Sequence, residues 1–472
     1  MEPLKKTAGY FLMLTLLVSP FLYGGTTIKS SFTLSLFLYG TELVWILNLA
    51  LRRRLPHVSK TILACVAFLL VQGWLMAWNA HSVFDRDYLS LVELSGGLPS
   101  LPGSLDKAGS VQVMTRLGSL LLLLIMTGDL ARSTRWLRRL VYTMAFTGAV
   151  FALFGIWQKT SQNPLQIWPG KAQPEAFGTF WYHGNAASFL NMTWPLCFAA
   201  ALWSFQGERG HVARALWTAS TVSIFCAIAM NVSKAGHLIA AALAVLLIMT
   251  LLLRMRTVLA EYGWRQVTAF GIIIFLVLTV LVVGSDTASA ASRWASFLAR
   301  EGWKDSRLET GRICIDMLPM AGGFGFGPGT FVAAFHQQIA RLHLAEGAVW
   351  ASAHNDWLQY FVEWGIFGGI VWLVLWSVPA ISAARHFWAV LKPGFGLERR
   401  RSRRSRERWH RSFEALRMYL CFGASLALIG VLIHAAIDFP LQIMGLQIYA
   451  FTLAGIVTAE IRKETGETFE DE

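Results

Sequence analysis

Apolar runs of about 20 residues, separated by short polar stretches, dominate this chain from Tyr10 to Thr458. Soluble domains place apolar residues on a period of two or near three and a half. Uninterrupted runs leave no polar face and read as helices in lipid, where the helix satisfies its own backbone. Composition agrees, at 55% hydrophobic and 15% charged, where soluble domains carry roughly a quarter charged residues. Trp and Tyr gather near the ends of the runs, as interfacial anchors do. The spacing predicts an all-α, polytopic membrane protein of about twelve spans, near 8–24, 31–51, 60–78, 111–128, 138–158, 184–204, 213–231, 235–253, 266–284, 355–381, 417–435 and 441–460. The first run, Tyr10 to Tyr23, follows Lys5 and Lys6 but precedes no small-residue cleavage site. It therefore reads as a retained helix rather than a signal peptide.

A net charge of +13 raises the question of nucleic acid, and its distribution argues against that partner. The excess sits in loops between spans, most of it in RRRSRRSRERWHR, Arg399 to Arg411. With the N-terminus inside, 28 of the 41 lysines and arginines fall on the inner side. The positive-inside rule then predicts a bacterial inner-membrane protein with both termini cytoplasmic, its basic loop facing the bilayer's anionic lipid. Four of the five cysteines lie inside apolar runs, and no CxxC or Cys/His cluster is present. Neither a zinc site nor a disulfide framework is expected.

Chemistry is expected on the outer side, where three connections are long: 79–110, 159–183 and 285–354. The last reads as helix, glycine turn, helix. Ser306 to Met320 carries Leu308, Ile315 and Leu318 on a polar background, and Pro319 should end it. GGFGFGPGTF, 322–331, lacks a Walker lysine and a preceding strand, so it reads as a structural turn rather than a phosphate loop. Phe331 to Leu344 places Phe331, Phe335, Ile339 and Leu342 on one stripe. Both helices are expected to lie on the membrane surface as a roof over a cavity.

The tenth span then opens with Ala353-His354-Asn355-Asp356-Trp357-Leu358-Gln359, followed by Glu363 and Gly365. Asn355, Gln359 and Glu363 share one helix face. A polar stripe there must meet protein or water, either as a brace for the helix or as part of a site. Arg307, Arg312 and Lys234 are the outer cations available to a diphosphate. Each taken singly could instead be an interfacial side chain.

The order DSRLETGRICIDML, GGFGFGPGTF and AHNDWLQYFVEWGIFGG resembles the O-antigen ligase and O-antigen polymerase superfamily. That family has an arginine opening an outer helix, a G-x-G-P-G-x-F turn, and H-N-x-x-L-Q-x-x-x-E-x-G-x-x-G entering a membrane helix. GTFWYHGNAASFLNMTWPL, 178–196, is similar to its middle-helix segment. The resemblance covers about residues 170–380. It implies a membrane glycosyltransferase that moves a glycan from an undecaprenyl diphosphate carrier to an acceptor hydroxyl of lipid A-core, another glycan or a protein. The transfer would be inverting, periplasmic, and free of metal and nucleotide cofactor. Arg307 and His354 would be catalytic, and Arg307, Arg312 and Lys234 would bind the diphosphate. Asn355, Gln359, Glu363, His183 and Asn185 would support them. Where such members often carry S-R-G, this chain has Ser233-Lys234-Ala235-Gly236, which keeps the charge and loses the bidentate fork.

On these grounds the chain divides into spans 1–5 (1–160), a ligase-like region (161–384), a basic inner loop (385–416) and the last two spans with a short tail (417–472). The alternatives are a polymerase using the same donor, a transporter of cell-envelope lipids, and a non-catalytic scaffold. Transporters place ionisable groups at mid-membrane. Here Glu42 is one of few, and the polar residues collect at the outer rim.

Overall fold

The computed structural model describes residues 2–161, 176–205, 210–253, 306–341, 350–391 and 405–459, with isolated positions at 264, 268, 271 and 272. Among them are α1 (Glu2–Val18), α2 (Ile28–Leu51), α3 (Lys60–Trp78), α4 (Lys107–Leu130), α5 (Thr134–Thr160), α6 (His183–Ser204), α7 (His211–Met230) and α8 (Lys234–Leu253). After them come α9 (Ser306–Ala321), α10 (Phe331–Arg341), α11 (Asp356–Leu391), α12 (Ser405–His434) and α13 (Met444–Thr458). Nine of these helices are long and apolar enough to cross a membrane. α1, of 17 residues, and α13, of 15, are shorter. The predicted ninth span, 266–284, lies almost wholly outside the described residues.

The all-α, multi-pass reading therefore holds. A small antiparallel hairpin, β1 (Ser82–Asp85) with β2 (Ser90–Glu93), occupies the connection between α3 and α4. The turn-rich sequence there had not pointed to strands.

α6 is the centre of the bundle. Every residue in its apolar window is buried, as expected of a helix that is hydrophobic all round. It is packed by α5, α7, α8 and α12. Small residues permit this closeness. A Cβ on Gly423 of α12 would lie 2.8 Å from the Pro195 carbonyl oxygen of α6. The N-terminus of α6 consequently emerges in the middle of one end of the bundle.

Over that end sits a second, smaller apolar cluster. Ile313, Cys314 and Met317 of α9 pack there with Phe331, Ala334 and Phe335 of α10 and with Ala353 and Val362. The α10 stripe is as predicted for Phe331, Phe335 and Ile339; Leu342 lies outside the described residues. The α9 face is only partly the predicted one, since Leu318 alone of the three packs against this cluster. Leu308 and Ile315 are exposed, while Thr310, Cys314 and Met317 are buried. Those positions, three or four apart, turn the slimmer side of α9 toward the chain and allow close packing. Pro319 lies inside α9 rather than ending it. The helix stops at Ala321, where Gly322 takes φ +60°.

The opposite end is tied by buried charge. Arg54 meets Asp129 at 2.7 Å, joining α2 to α4. Arg417 of α12 donates to the Ala131 carbonyl at 2.7 Å and to the Ala459 carbonyl at 2.8 Å. These two carbonyls lie just past the ends of α4 and α13, where the helix dipole is negative. Arg417→Met keeps the bulk and removes both bonds. It is expected to cost about 2–3 kcal/mol, read as a lower melting temperature in detergent.

Candidate functional site

The glycine turn is held inside a break in α11. Gly365 adopts φ +66°, ψ −168°, so the helix is interrupted one turn below the N-terminal polar stripe. The turn fills the gap with backbone pairing: Phe326 N donates to the Val362 carbonyl at 3.2 Å and Gly327 N to the Glu363 carbonyl at 2.9 Å. In return, Ile366 N and Phe367 N donate to the carbonyls of Gly322 and Gly323 at 3.1 and 3.0 Å. Gln72 of α3 donates to the remaining carbonyls, Trp364 at 2.9 Å and Phe324 at 3.0 Å. Every backbone group freed in the bilayer needs such a partner.

Asn355, Gln359 and Glu363 turn out to be braces. Asn355 Oδ1 accepts from Leu358 N at 3.0 Å and caps α11. Gln359 Oε1 accepts from Ala353 N at 3.1 Å, and its Nε2 donates to Glu363 Oε1 at 3.0 Å. Glu363 also accepts from Gly329 N at 3.0 Å and Phe331 N at 3.3 Å, closing the start of α10. Glu363→Gln turns an amide toward those backbone donors. Leaving them unsatisfied is expected to cost about 1–3 kcal/mol. Melting temperature should fall while activity per folded molecule survives.

These braces hold His354 in the left-handed region, at φ +50°, a conformation costly for a side chain with a Cβ. Two residues further on, Asp356 N donates to the Ala435 carbonyl at 2.7 Å. The Asp356 carboxylate accepts from Leu441 N at 2.8 Å and Gln442 Nε2 at 2.9 Å. Arg116 of α4 adds a bond to the Gln442 carbonyl at 3.0 Å. The α12–α13 connection is thereby fixed against the start of α11.

That connection carries Asp438. Its Oδ1 lies 3.0 Å from His354 Nδ1. Its Oδ2 accepts from the Tyr182 hydroxyl at 3.0 Å and lies 3.9 Å from His434 Nε2. Arg307 Nη2 donates to the Tyr182 hydroxyl at 2.7 Å. Burial raises the Asp438 carboxyl, but the hydrogen bond from His354 and the charges of His434 and Arg307 outweigh it and hold it below the usual value. On a neutral ring, an ionised Asp438 makes Nδ1 of His354 the donor and leaves the lone pair on Nε2. A carboxyl lowered on folding stabilises above its unfolded value and stops doing so as the pH falls through the folded one. The stability that the Asp438 carboxylate gives wild type over Asp438→Asn is therefore expected to be lost as the pH falls below about 4, read as converging melting temperatures.

The His354 side chain is 18% exposed within an aromatic collar. Phe439 is edge-on at 4.9 Å, Trp350 at 5.7 Å and Tyr182 at 6.4 Å. His183 packs on Tyr182 at 4.6 Å. Asn185 is buried in the first turn of α6, its backbone N bonded to the Tyr182 carbonyl at 3.1 Å. Lys234 opens α8 directly after a turn that Asn231 ties to the His183 carbonyl at 3.1 Å, so it stands at the same end of the bundle. Arg312 is exposed, five residues beyond Arg307 and so on another face of α9; it does not join this group.

The structure brings Arg307 and His354 together, and it does so through two residues the sequence reading passed over. Tyr182 stood beside His183 in WYHGN, and a hydroxyl carried no signal there. Asp438, in AAIDFPLQ, is a lone carboxylate at the end of an apolar run, a placement that is costly and itself a cue.

Residues 219–373 match the family model described as O-Antigen ligase. The match takes in Lys234, Arg307, the glycine turn, His354 and Glu363. Tyr182 and Asp438 fall outside it. No curated protein matches the chain. Over that third of its length the chain is similar to O-antigen ligase.

Proposed function

We propose that this protein transfers a glycan from undecaprenyl diphosphate to an acceptor hydroxyl at the periplasmic face, as an O-antigen ligase acting on lipid A-core. The observation that carries this reading is the pair of His354 and Asp438 at 3.0 Å, with the Arg307 guanidinium two hydrogen bonds away. The bias of lysine and arginine toward the other side supports the periplasmic placement.

In this mechanism His354 Nε2 takes the proton of the acceptor hydroxyl, and Asp438 stabilises the imidazolium through Nδ1–H. The acceptor oxygen attacks the anomeric carbon from the face opposite the diphosphate. The bond from that carbon to the phosphate oxygen breaks, its electron pair leaving with the carrier, and the configuration inverts. Arg307 faces the growing negative charge and can meet it bidentately. Lys234 is a second cation at this end of the bundle. Gln359 and Glu363 act on His354 only through the backbone they hold.

The test is transfer by purified protein in detergent, from an undecaprenyl diphosphate-linked glycan to lipid A-core, with chelator present. A mass-shifted core lost in both Arg307→Ala and His354→Ala is expected. Transfer intact in both variants would refute the assignment. Growth of the donor glycan without use of the core would identify a polymerase.

A further inference from the structure

Tyr182 joins the two groups that the proposed reaction sets on opposite sides of the anomeric carbon. Arg307 Nη2 donates to its hydroxyl at 2.7 Å. The hydroxyl donates to Asp438 Oδ2 at 3.0 Å, and Asp438 Oδ1 meets His354 Nδ1 at 3.0 Å. The three bonds run unbroken from cation to imidazole. The ring is held independently of the hydroxyl, stacked on Phe439 at 5.3 Å and 12°.

A phenol oxygen that accepts from a guanidinium has its O–H polarised and donates more strongly onward. Asp438 then has less charge to spend on His354. The field of Arg307 on Asp438 acts in the same direction. A diphosphate bound to Arg307 reverses both effects: it neutralises the cation and draws the guanidinium's donors to itself. The Tyr182 hydroxyl becomes a weaker donor, Asp438 pulls harder on Nδ1–H, and Nε2 of His354 becomes the stronger acceptor. The other charged or titratable groups facing Asp438 are His434 of α12 and Asp356 of α11. Asp356 is held by Leu441 N and Gln442 Nε2, His434 lies buried 3.9 Å from Oδ2, and neither makes a bond to Arg307 among the described contacts. We infer that Tyr182 is a positioning residue through which donor diphosphate at Arg307 strengthens His354 as a base, so that acceptor activation follows donor binding. This rests on the roles proposed above for Arg307 and His354.

Diethyl pyrocarbonate, which modifies neutral imidazole, reads the nucleophilicity of Nε2 directly through the mass of the His354 peptide. The probe is undecaprenyl diphosphate without glycan, added to the full-length protein in detergent at pH 8. In wild type, saturating probe is expected to speed modification of His354 by about threefold. Simple shielding would slow it. In Tyr182→Phe, which keeps the ring and loses the hydroxyl, the acceleration should fall to less than half, with the Kd for the probe unchanged. Equal acceleration in both proteins overturns the inference, as does slowing or no change in wild type. The wild-type direction decides the question if Tyr182→Phe does not fold. Failure of the functional reading looks different: His354→Ala would retain transfer whatever the modification rates showed.

Discussion

Asparagine in place of Asp438 should cut glycan transfer by about a hundredfold to ten-thousandfold while leaving donor binding intact. The carboxylate accepts from His354 Nδ1 and so keeps the Nε2 lone pair free. An asparagine can turn its amide to the ring and make Nδ1 the acceptor. Nε2 then carries the proton and cannot take another from the acceptor hydroxyl. Oδ1 also accepts from Phe439 N at 3.1 Å, so an amide turned to the ring gives up that bond, while the Tyr182 hydroxyl still meets an oxygen at the other position. The measurement is kcat and KM for the acceptor at saturating donor. A loss confined to kcat marks a role in the transition state. Activity within a few-fold of wild type would mean that Asp438 does not set the tautomer.

The second large effect is expected on folding. In Gly325→Ala, the new Cβ would clash with the Glu363 carbonyl oxygen and Gly365 N, backbone atoms of α11 at the break that holds the turn. Gly325 also has φ +82°, where an alanine is strained before any contact is counted. Backbone clamped by reciprocal hydrogen bonds on both sides cannot shift by the required ångström. The substitution should cost about 3 kcal/mol or more. A fall in melting temperature with faster proteolysis between α9 and α11 is the expected readout. Gly311 is the comparison: it lies in α9 with open space around its Cβ position. Gly311→Ala should be neutral or mildly stabilising. Similar melting temperatures for the two alanine variants would show that the turn is not seated in the helix break.

The spans were legible because lipid imposes one rule on every residue of a crossing helix. Apolar run length alone therefore placed α2 to α8 close to their observed bounds, and found α11 and α12 but not their far ends at Leu391 and Ser405. The glycine turn, the helix beginning at Ser306, and the importance of the segment from His354 to Gly365 were legible too, since glycine clusters and polar groups inside apolar runs are costly unless used.

Which polar residue does what could not be read from spacing. Asn355, Gln359 and Glu363 share a face, and each bonds backbone there: Asn355 takes Leu358 N, Gln359 takes Ala353 N, and Glu363 takes Gly329 N and Phe331 N of the glycine turn. Arg312 looked equivalent to Arg307 until helical geometry put it on another side of α9. Asp438 and Tyr182 lie 84 and 172 residues from His354 in sequence. Only the packing of α12 against the buried α6, and of α11 against α12, carries the Tyr182 hydroxyl and the α12–α13 connection to one point. Sequence alone determined that this chain crosses a membrane many times and where its costly polar residues lie. The tertiary structure decided which of them meet, because hydrogen bonds form between groups a few ångströms apart in space, and sequence distance does not measure that.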